Sequence, residues 1–135
     1  MKLYTYLNYG GNCRQAFEFY AEHLGARITS IATHGEQPDP SKVPPNWSNA
    51  VLHARIEIGA TVLMGADIEQ AEPMRSAYLA LSLDREEDAE RTYALLAEGG
   101  EIFMKMEKTP FANRFAMLRD RFGTSWMLLH QPESS

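Results

Sequence analysis

Apolar residues recur at helical spacing in a first stretch of the chain. They follow Asn12 at intervals of three to four residues, and Gly25 comes directly after the last of them; they are Cys13, Ala16, Phe17, Tyr20 and Leu24. Asn12 with Gln15 three residues later is typical of a capping box, and Gly25 is typical of a left-handed residue just past a helix. The pattern predicts a helix that begins after Asn12 and ends before Gly25.

A second stretch repeats this design. Asp84 and Glu87 form another capping-box pattern, and the acidic residues 86–88 suit the positive end of a helix dipole. The expected buried face comprises Ala89, Tyr93, Leu96 and Ala97. Two glycines, at positions 99 and 100, follow that face. The pattern predicts a second helix that ends before them.

Other segments favour β-strands. Residues 51–58 alternate between an apolar face and a mixed face; the apolar positions are Leu52, Ala54, Ile56 and Ile58, and the other face has Val51, His53, Arg55 and Glu57. Further strands are expected at residues 3–9, 28–33, 61–67, 77–83, 101–108, 114–119 and 125–130. The stretch 33–49 is rich in Pro, Asp and Ser and is predicted to be a long loop.

The order of these elements indicates a tandem duplication. A shift of 73 positions places Ala16 on Ala89, and a shift of 64 places Gly59 on Gly123. Each half then has the order βαβββ, with modules at about 1–70 and 75–131 of a single domain spanning 1–135. The alternative is that two short α/β stretches share a few residues by chance. We favour duplication, and hence an α+β fold, because five elements match in order.

Composition excludes several classes of protein. The chain has 135 residues, 44% of them hydrophobic and 23% charged, which is ordinary for one globular domain. Its net charge of −5 disfavours a nucleic-acid or anionic-membrane partner. Its single cysteine, Cys13, cannot form an internal disulfide and is expected to be a core residue rather than a nucleophile. With no signal peptide or membrane span predicted, we expect a cytoplasmic protein.

A resemblance to a known family rests on three stretches: YLNYGGNCRQAFEFY, HARIEIGATVLMGAD and RFAMLRDRFGTSWMLLH. Over about Leu3 to His130 the chain resembles the vicinal oxygen chelate superfamily, the glyoxalase/bleomycin resistance/dioxygenase group. Within it the chain is similar to the PhnB-like branch, which is labelled by likeness to a 3-demethylubiquinone methyltransferase domain. The resemblance implies two modules that form a half-open curved sheet around a cleft. We expect no methyltransferase activity, because the chain has no Gly-rich loop to bind S-adenosylmethionine.

The resemblance also indicates where a metal would bind. Metal-using members hold the cation with one side chain from the first strand and one from the fourth strand of each module, usually His or Glu. Counting back from the first helix places the first of these positions at Thr5, and the shift of 73 gives its counterpart Tyr78. The fourth-strand positions are Leu63 and Met127, which the shift of 64 relates to each other. None of them offers an imidazole or a carboxylate, and one-residue offsets to Met64, Trp126 or Leu128 offer none either. We therefore expect no metal and no cofactor.

Candidate cleft residues are His53 and Arg55 on the polar strand face, the four replaced ligand positions, and Phe111 in a proline-bounded loop. Among the four histidines, only His53 is considered for a cleft role, as a hydrogen-bonding group or a base. His23, His34 and His130 are expected at a helix end, in a solvated loop and at the surface. A relocated metal site that combines His53 with Glu57 or Asp67 stays open.

Three functions remain possible from the sequence. The preferred one is a metal-free homodimer that binds a small organic molecule in a partly apolar cleft. The second is an enzyme of the same superfamily: a lyase, isomerase or dioxygenase that uses either an atypical metal site or His53. The third is a structural or regulatory dimer with a closed cleft. Fold alone does not choose among them.

Overall fold

A computed structural model describes residues 1–131 of the chain. Two helices and eight strands follow the predicted order: β1 (Thr5–Tyr9), α1 (Cys13–His23), β2 (Arg27–Thr33), β3 (Val51–Ile58), β4 (Thr61–Asp67), β5 (Leu79–Ser82), α2 (Glu86–Ala97), β6 (Glu101–Thr109), β7 (Ala112–Arg119) and β8 (Ser125–His130). Two short 3₁₀ helices, His34–Glu36 and Pro40–Lys42, lie in the long loop. The α+β class is confirmed.

The chain divides into two compact units, Met1–Glu72 and Pro73 onward. Each unit contains one four-stranded sheet, in the order β1-β4-β3-β2 or β5-β8-β7-β6. The first and fourth strands of each unit are parallel neighbours, and the other pairs are antiparallel. The helix connects the first strand to the second, so each unit has the βαβββ order expected from the sequence.

Both predicted capping boxes are wrong. Helix α1 does begin after Asn12, yet the Asn12 side chain makes no capping hydrogen bond. The backbone N–H of Cys13 is satisfied instead by a carboxylate oxygen of Asp67, at the end of β4. A distant residue thus replaces the local cap, and the one side chain joins the helix to the sheet.

Helix α2 begins one residue later than predicted. Arg85, not Asp84, is the N-cap, and no side chain caps the helix. The carboxylate of Glu87 contacts the Arg85 guanidinium at 3.1 Å. Tyr93, expected on the buried face, is only half-buried, and Thr92 is buried in its place. The sheet therefore meets a face of the helix rotated slightly from the apolar stripe.

Each helix packs against one face of its own sheet. In the first unit a Cβ at Gly65 of β4 would lie 2.8 Å from the Phe17 ring and 3.3 Å from the Cys13 sulfur of α1. In the second unit Arg114 of β7 binds Glu90 of α2 at 3.0 Å. The opposite surface of each sheet carries no helix of its unit, and we call these surfaces the first and second helix-free faces.

Predicted turn glycines have the backbone conformation that the sequence suggested. Gly25, past α1, has φ of 70°, while Gly59 and Gly123 have φ of 57° and 100°. These values lie in the left-handed region that side chains other than glycine rarely adopt. Gly10 has no positive φ, and a Cβ there would meet only Ala71, at 3.9 Å. Within residues 1–131, neither helix is long and apolar enough to cross a membrane.

Candidate functional site

The first helix-free face gathers polar and aromatic side chains through strand register. Side chains of directly paired residues lie on the same face of a sheet. One row crosses all four strands and consists of Tyr6, Met64, Arg55 and Ser30. On the same face β1 pairs Asn8 with Ala66, and β3 pairs His53 with Ala32. Alternation along β3 therefore places His53 beside Arg55 on this surface.

Tyr6 and His53 contact each other on this face. The tyrosine hydroxyl lies 3.4 Å from His53 Nδ1. Their ring centroids are 5.8 Å apart, with the planes inclined by 33°. Desolvation by burial, with a smaller contribution from Cys13, raises the pKa of Tyr6 above its ordinary value. The phenol consequently stays protonated at neutral pH and can donate its hydrogen bond.

Arg55 lies on an inner strand of this face, and no described acid forms an ion pair with it. Its guanidinium carbon is 5.4 Å from the centre of the Tyr4 ring, a cation–π contact. The acid two residues along the same strand, Glu57, forms its ion pair with Arg27 of β2 at 2.8 Å. Among residues 1–131, no carboxylate lies within ion-pair distance of Arg55. The guanidinium donors therefore remain available to a ligand.

Two predicted site residues lie on the other side of the sheet. Thr5 and Leu63 are register partners, as expected from the repeat, but they share the face that carries helix α1. Leu63 is 3% exposed and is paired with the buried Ile56. Successive side chains of a strand point to opposite faces, so a count that is off by one residue reverses the direction of a side chain. Thr5 and Leu63 are thus not on a surface with His53 and Arg55.

The second helix-free face differs in chemistry. Register there produces a row across the whole sheet, formed by Met104, Met117, Met127 and Ala80. The Tyr78 ring, one residue before β5, contacts the Phe103 ring edge-on at 6.4 Å. Met127 alternates with the buried Trp126 and Leu128, so unlike Leu63 it faces away from its helix. The shift of 64 relates Leu63 to Met127 in the sequence. Their side chains nevertheless point to different faces of their sheets, Leu63 toward its helix and Met127 away from it.

Phe111 lies in the β6–β7 turn, 56% exposed, with its ring edge-on to Phe115 at 5.0 Å. Phe115 is 6% exposed and is paired with Leu129, on the same face of β7 as Met117. The second unit therefore brings together thioether and aromatic side chains, whereas the first brings together an imidazole, a guanidinium and a phenol.

The residues present do not fit the metal site that the fold family implies. In the first unit, the helix-free positions on the first and fourth strands are Tyr6, Asn8, Val62, Met64 and Ala66, and none of them has an imidazole or a carboxylate. Throughout residues 1–131, no three His, Cys, Asp or Glu residues are placed to hold a metal ion together. The relocated set is not assembled either, because Glu57 is paired with Arg27 and both oxygens of Asp67 accept backbone hydrogen bonds.

Asp67 has a structural role that the sequence pattern did not reveal. It is 1% exposed; one carboxylate oxygen accepts from the N–H groups of Gly11 and Cys13, at 3.0 and 2.9 Å. The other oxygen accepts from Val51 N–H at 2.8 Å. One side chain thereby joins β4 to the start of α1 and to β3. The sequence contained one signal, an acid that ends an otherwise apolar strand.

The remaining histidines have structural contacts. His34, expected to be solvated, is partly buried: its Nε2 lies 2.9 Å from the Asp67 carbonyl oxygen, and its ring meets Trp47 edge-on. That expectation is wrong, because the loop packs back onto β4. His130 Nδ1 lies 3.0 Å from the Leu83 carbonyl oxygen. His23 stacks on Phe19 at the end of α1.

A separate open cavity of about 340 Å³ lies beside the start of α1. It is lined by Gly11, Arg14, Gln15, Asn46, Trp47, Asn49, Ala50 and Asp67. None of the predicted cleft residues lines it, although Asp67, considered above for a relocated metal site, does. The long loop supplies half of its wall, so it is a feature of the loop rather than of the helix-free face.

Comparison with known proteins identifies the class. Residues 5–128 match the family model of the Glyoxalase/Bleomycin resistance protein/Dioxygenase superfamily. The chain therefore belongs to this superfamily, as its motifs suggested. It is 30% identical over 138 residues to Protein YjdN of Escherichia coli strain K12, with 95% of this chain and 94% of that protein covered.

Solved structures agree with this assignment. Protein PA1353 of Pseudomonas aeruginosa superposes with a TM-score of 0.87 at 34% identity, covering 98% of this chain and 99% of that one. The PhnB protein of Bacillus cereus superposes with a TM-score of 0.82 at 25% identity, covering 96% and 99% of the two chains. The expected similarity to the PhnB-like branch is confirmed.

Proposed function

We propose that this protein binds a small organic molecule on the first helix-free face, without a metal ion. The observation that supports the proposal is the grouping of Tyr6, His53 and Arg55 on one sheet surface. A few convergent polar groups among apolar and aromatic side chains are the usual composition of a ligand site. Met64, in the same row, adds an adaptable apolar contact.

The geometry assigns complementary tasks to these side chains. Tyr6 is 46% exposed and offers both a ring and a hydroxyl to a bound molecule. Arg55 offers a planar fork of donors. His53, held by the Tyr6 hydroxyl, can donate or accept a hydrogen bond through its remaining ring nitrogen. Such a face orients a ligand by hydrogen bonds and retains it by contact with the rings.

A screen of thermal stability tests ligand binding. Metabolites and antibiotics are added to the protein with and without a chelator of divalent ions. A ligand at about 100 times its Kd should stabilise the fold by about 2.7 kcal/mol, and the chelator should leave that shift unchanged. His53→Ala and Arg55→Met should reduce the shift. Arg91→Met is the matched control, because Arg91 is an exposed arginine on helix α2 of the second unit and is not on the first helix-free face.

Elemental analysis after dialysis tests the metal-free part of the proposal. We expect no stoichiometric zinc, nickel, manganese or iron. One equivalent of metal per chain that is lost in His53→Ala would contradict the proposal and favour a metalloenzyme.

We also propose that the protein is a homodimer. Strand β6 lies at the edge of the second sheet, is nine residues long and exposes Ile102, Phe103 and Met104. Long apolar edge strands are usually covered by another chain. Sedimentation at micromolar concentration should show a species of twice 15.3 kDa, and a 15.3 kDa species alone would refute this.

A further inference from the structure

The first helix-free face contains a cation whose charge the described residues do not neutralise. Several other arginines have defined partners: Arg27 binds Glu57, Arg91 binds Asp88, and Arg119 donates to the Met74 carbonyl. Within residues 1–131, the Arg55 guanidinium has a cation–π contact with Tyr4 and forms no ion pair. It is also half-buried on an inner strand, where a charge is less hydrated than at an exposed loop.

The groups around Arg55 are mainly hydrogen-bond donors. Ser30 is its register partner on β2, and Tyr6 lies in the same row. His53 is the adjacent residue on this face of β3. When the protonated Tyr6 hydroxyl donates to Nδ1, His53 has its own proton on Nε2 and donates it outward. The nearest acid on the strand, Glu57, is already neutralised by Arg27.

We infer that the small molecule bound on this face carries an anionic group, a carboxylate or a phosphonate-type group, held by the Arg55 guanidinium and His53 Nε2–H. This inference rests on the proposed function, because it specifies the chemistry of a ligand at that site. A planar oxyanion accepts two parallel hydrogen bonds from a guanidinium, which fixes its orientation as well as its charge. The Tyr6 ring and Met64 then contact the uncharged remainder of the molecule.

Three matched probes separate charge recognition from simple aromatic binding: benzoate, phenylphosphonate and the neutral benzamide. Their titration is followed in NMR spectra that resolve arginine Nε–H and histidine ring signals. We expect at least one anion to shift the Arg55 Nε–H and His53 signals and to bind about tenfold or more tightly than benzamide. Its affinity should fall as salt is added, whereas that of benzamide should not.

Variants assign the effect to one side chain. Arg55→Met should remove the preference for the anion, so that the anion and benzamide bind with similar affinity, while Arg55→Lys should keep part of the preference. Arg91→Met, which removes an exposed arginine of helix α2, should behave as the parent protein. If Arg55→Met does not fold, the inference is tested by the anion preference of Arg55→Lys and by the salt dependence of anion binding to the parent protein.

Two further outcomes overturn the inference in distinguishable ways. If all three probes shift Tyr6 and Met64 with equal affinity and Arg55→Met has no effect, the anion inference fails and the proposed binding function stands. If no probe at about 10 mM shifts any signal of the first helix-free face, the proposed function fails together with the inference.

Discussion

The two sheets share a strand order but differ in what their helix-free faces display. The first shows Tyr6, His53 and Arg55, and the second shows a row of three methionines with Phe103 beside it. Parallel pairing of first and fourth strands and a bulged second strand recur in both units. A common backbone therefore does not require common surface chemistry, which is set residue by residue.

Two arginines, one on each helix-free face, show this difference most directly. Arg55 and Arg119 each lie over an aromatic ring, at 5.4 and 5.2 Å, although the register position of Arg55 is occupied by Met117 in the second unit. Arg119 also donates from Nε and Nη2 to the Met74 carbonyl oxygen, at 3.1 and 2.9 Å. Its donors are thus used within the second unit. Those of Arg55 are not, which is why we assign a binding role to Arg55 alone.

Buried aspartates give the largest expected contrast. Asp67 joins β4 to α1 and β3, whereas Asp120 accepts from Phe122 and Thr124 N–H and from the Trp126 indole. Asp67→Asn should lower the free energy of unfolding by about 3 kcal/mol, because an amide cannot accept at both positions. Asp120→Asn should lower the free energy of unfolding by about 2 kcal/mol. The loss is smaller because the partners of Asp120 all lie within six residues of it, so the side chain joins no distant elements. Urea unfolding measures both, with the exposed Asp84→Asn as control.

An equal loss for the Asp67→Asn and Asp84→Asn variants would show that Asp67 does not hold the first unit together. The contrast between the two buried aspartates would then have no structural basis.

Crowded glycines distinguish a backbone contact from a side-chain contact. A Cβ at Gly100 would lie 2.3 Å from the Arg119 carbonyl oxygen, and one at Gly65 would lie 2.8 Å from the tip of the Phe17 ring. Gly100→Ala should lower the free energy of unfolding by about 2 to 3 kcal/mol, because the backbone carbonyl of Arg119 cannot move away as a side chain can. Gly65→Ala should cost about 1 to 2 kcal/mol. Gly10→Ala, with open space around it, is the control; a larger loss there than at Gly100 would refute the close packing.

Arg55 and Arg119, the arginines of the two helix-free faces, provide a smaller contrast in stability. Arg119→Met should destabilise the protein by about 1 kcal/mol, because it leaves the Met74 carbonyl with fewer donors. Arg55→Met should change stability by less than about 0.5 kcal/mol, since no described acid depends on it. Thermal unfolding without ligand tests both. A large loss in Arg55→Met would indicate that Arg55 is structural and would weaken its assignment to a ligand.

The last contrast concerns the reactivity of the Cys13 thiol, for which we expect the smallest effect at neutral pH. It is fully buried between α1 and the sheet, and desolvation by burial, followed by the charge of Asp67, raises its pKa to about 12. The native thiol should not react with Ellman's reagent at pH 8 and should react fully in denaturant. Because the folded pKa is the higher one, stability is lost only as pH rises from about 8.5 toward 12. Rapid native labelling would show that the helix-covered face opens.

The sequence by itself determined the elements and their repetition. Apolar spacing placed both helices within about two residues, and alternation in residues 51–58 described β3, because these signals are local and act through one element at a time. Gly59 and Gly123 were assigned to turns for the same reason, since a positive φ is a property of one residue. The motifs also identified the superfamily.

Only the tertiary structure decided which side chains share a surface. Register placed Tyr6, His53 and Arg55 together and turned Thr5 and Leu63 toward α1, since an offset of one residue reverses a strand side chain. The cap of α1 came from Asp67, more than fifty positions away, and no local pattern specifies a contact over that separation. Local sequence therefore determined the elements, and long-range packing determined the face on which a ligand site can form.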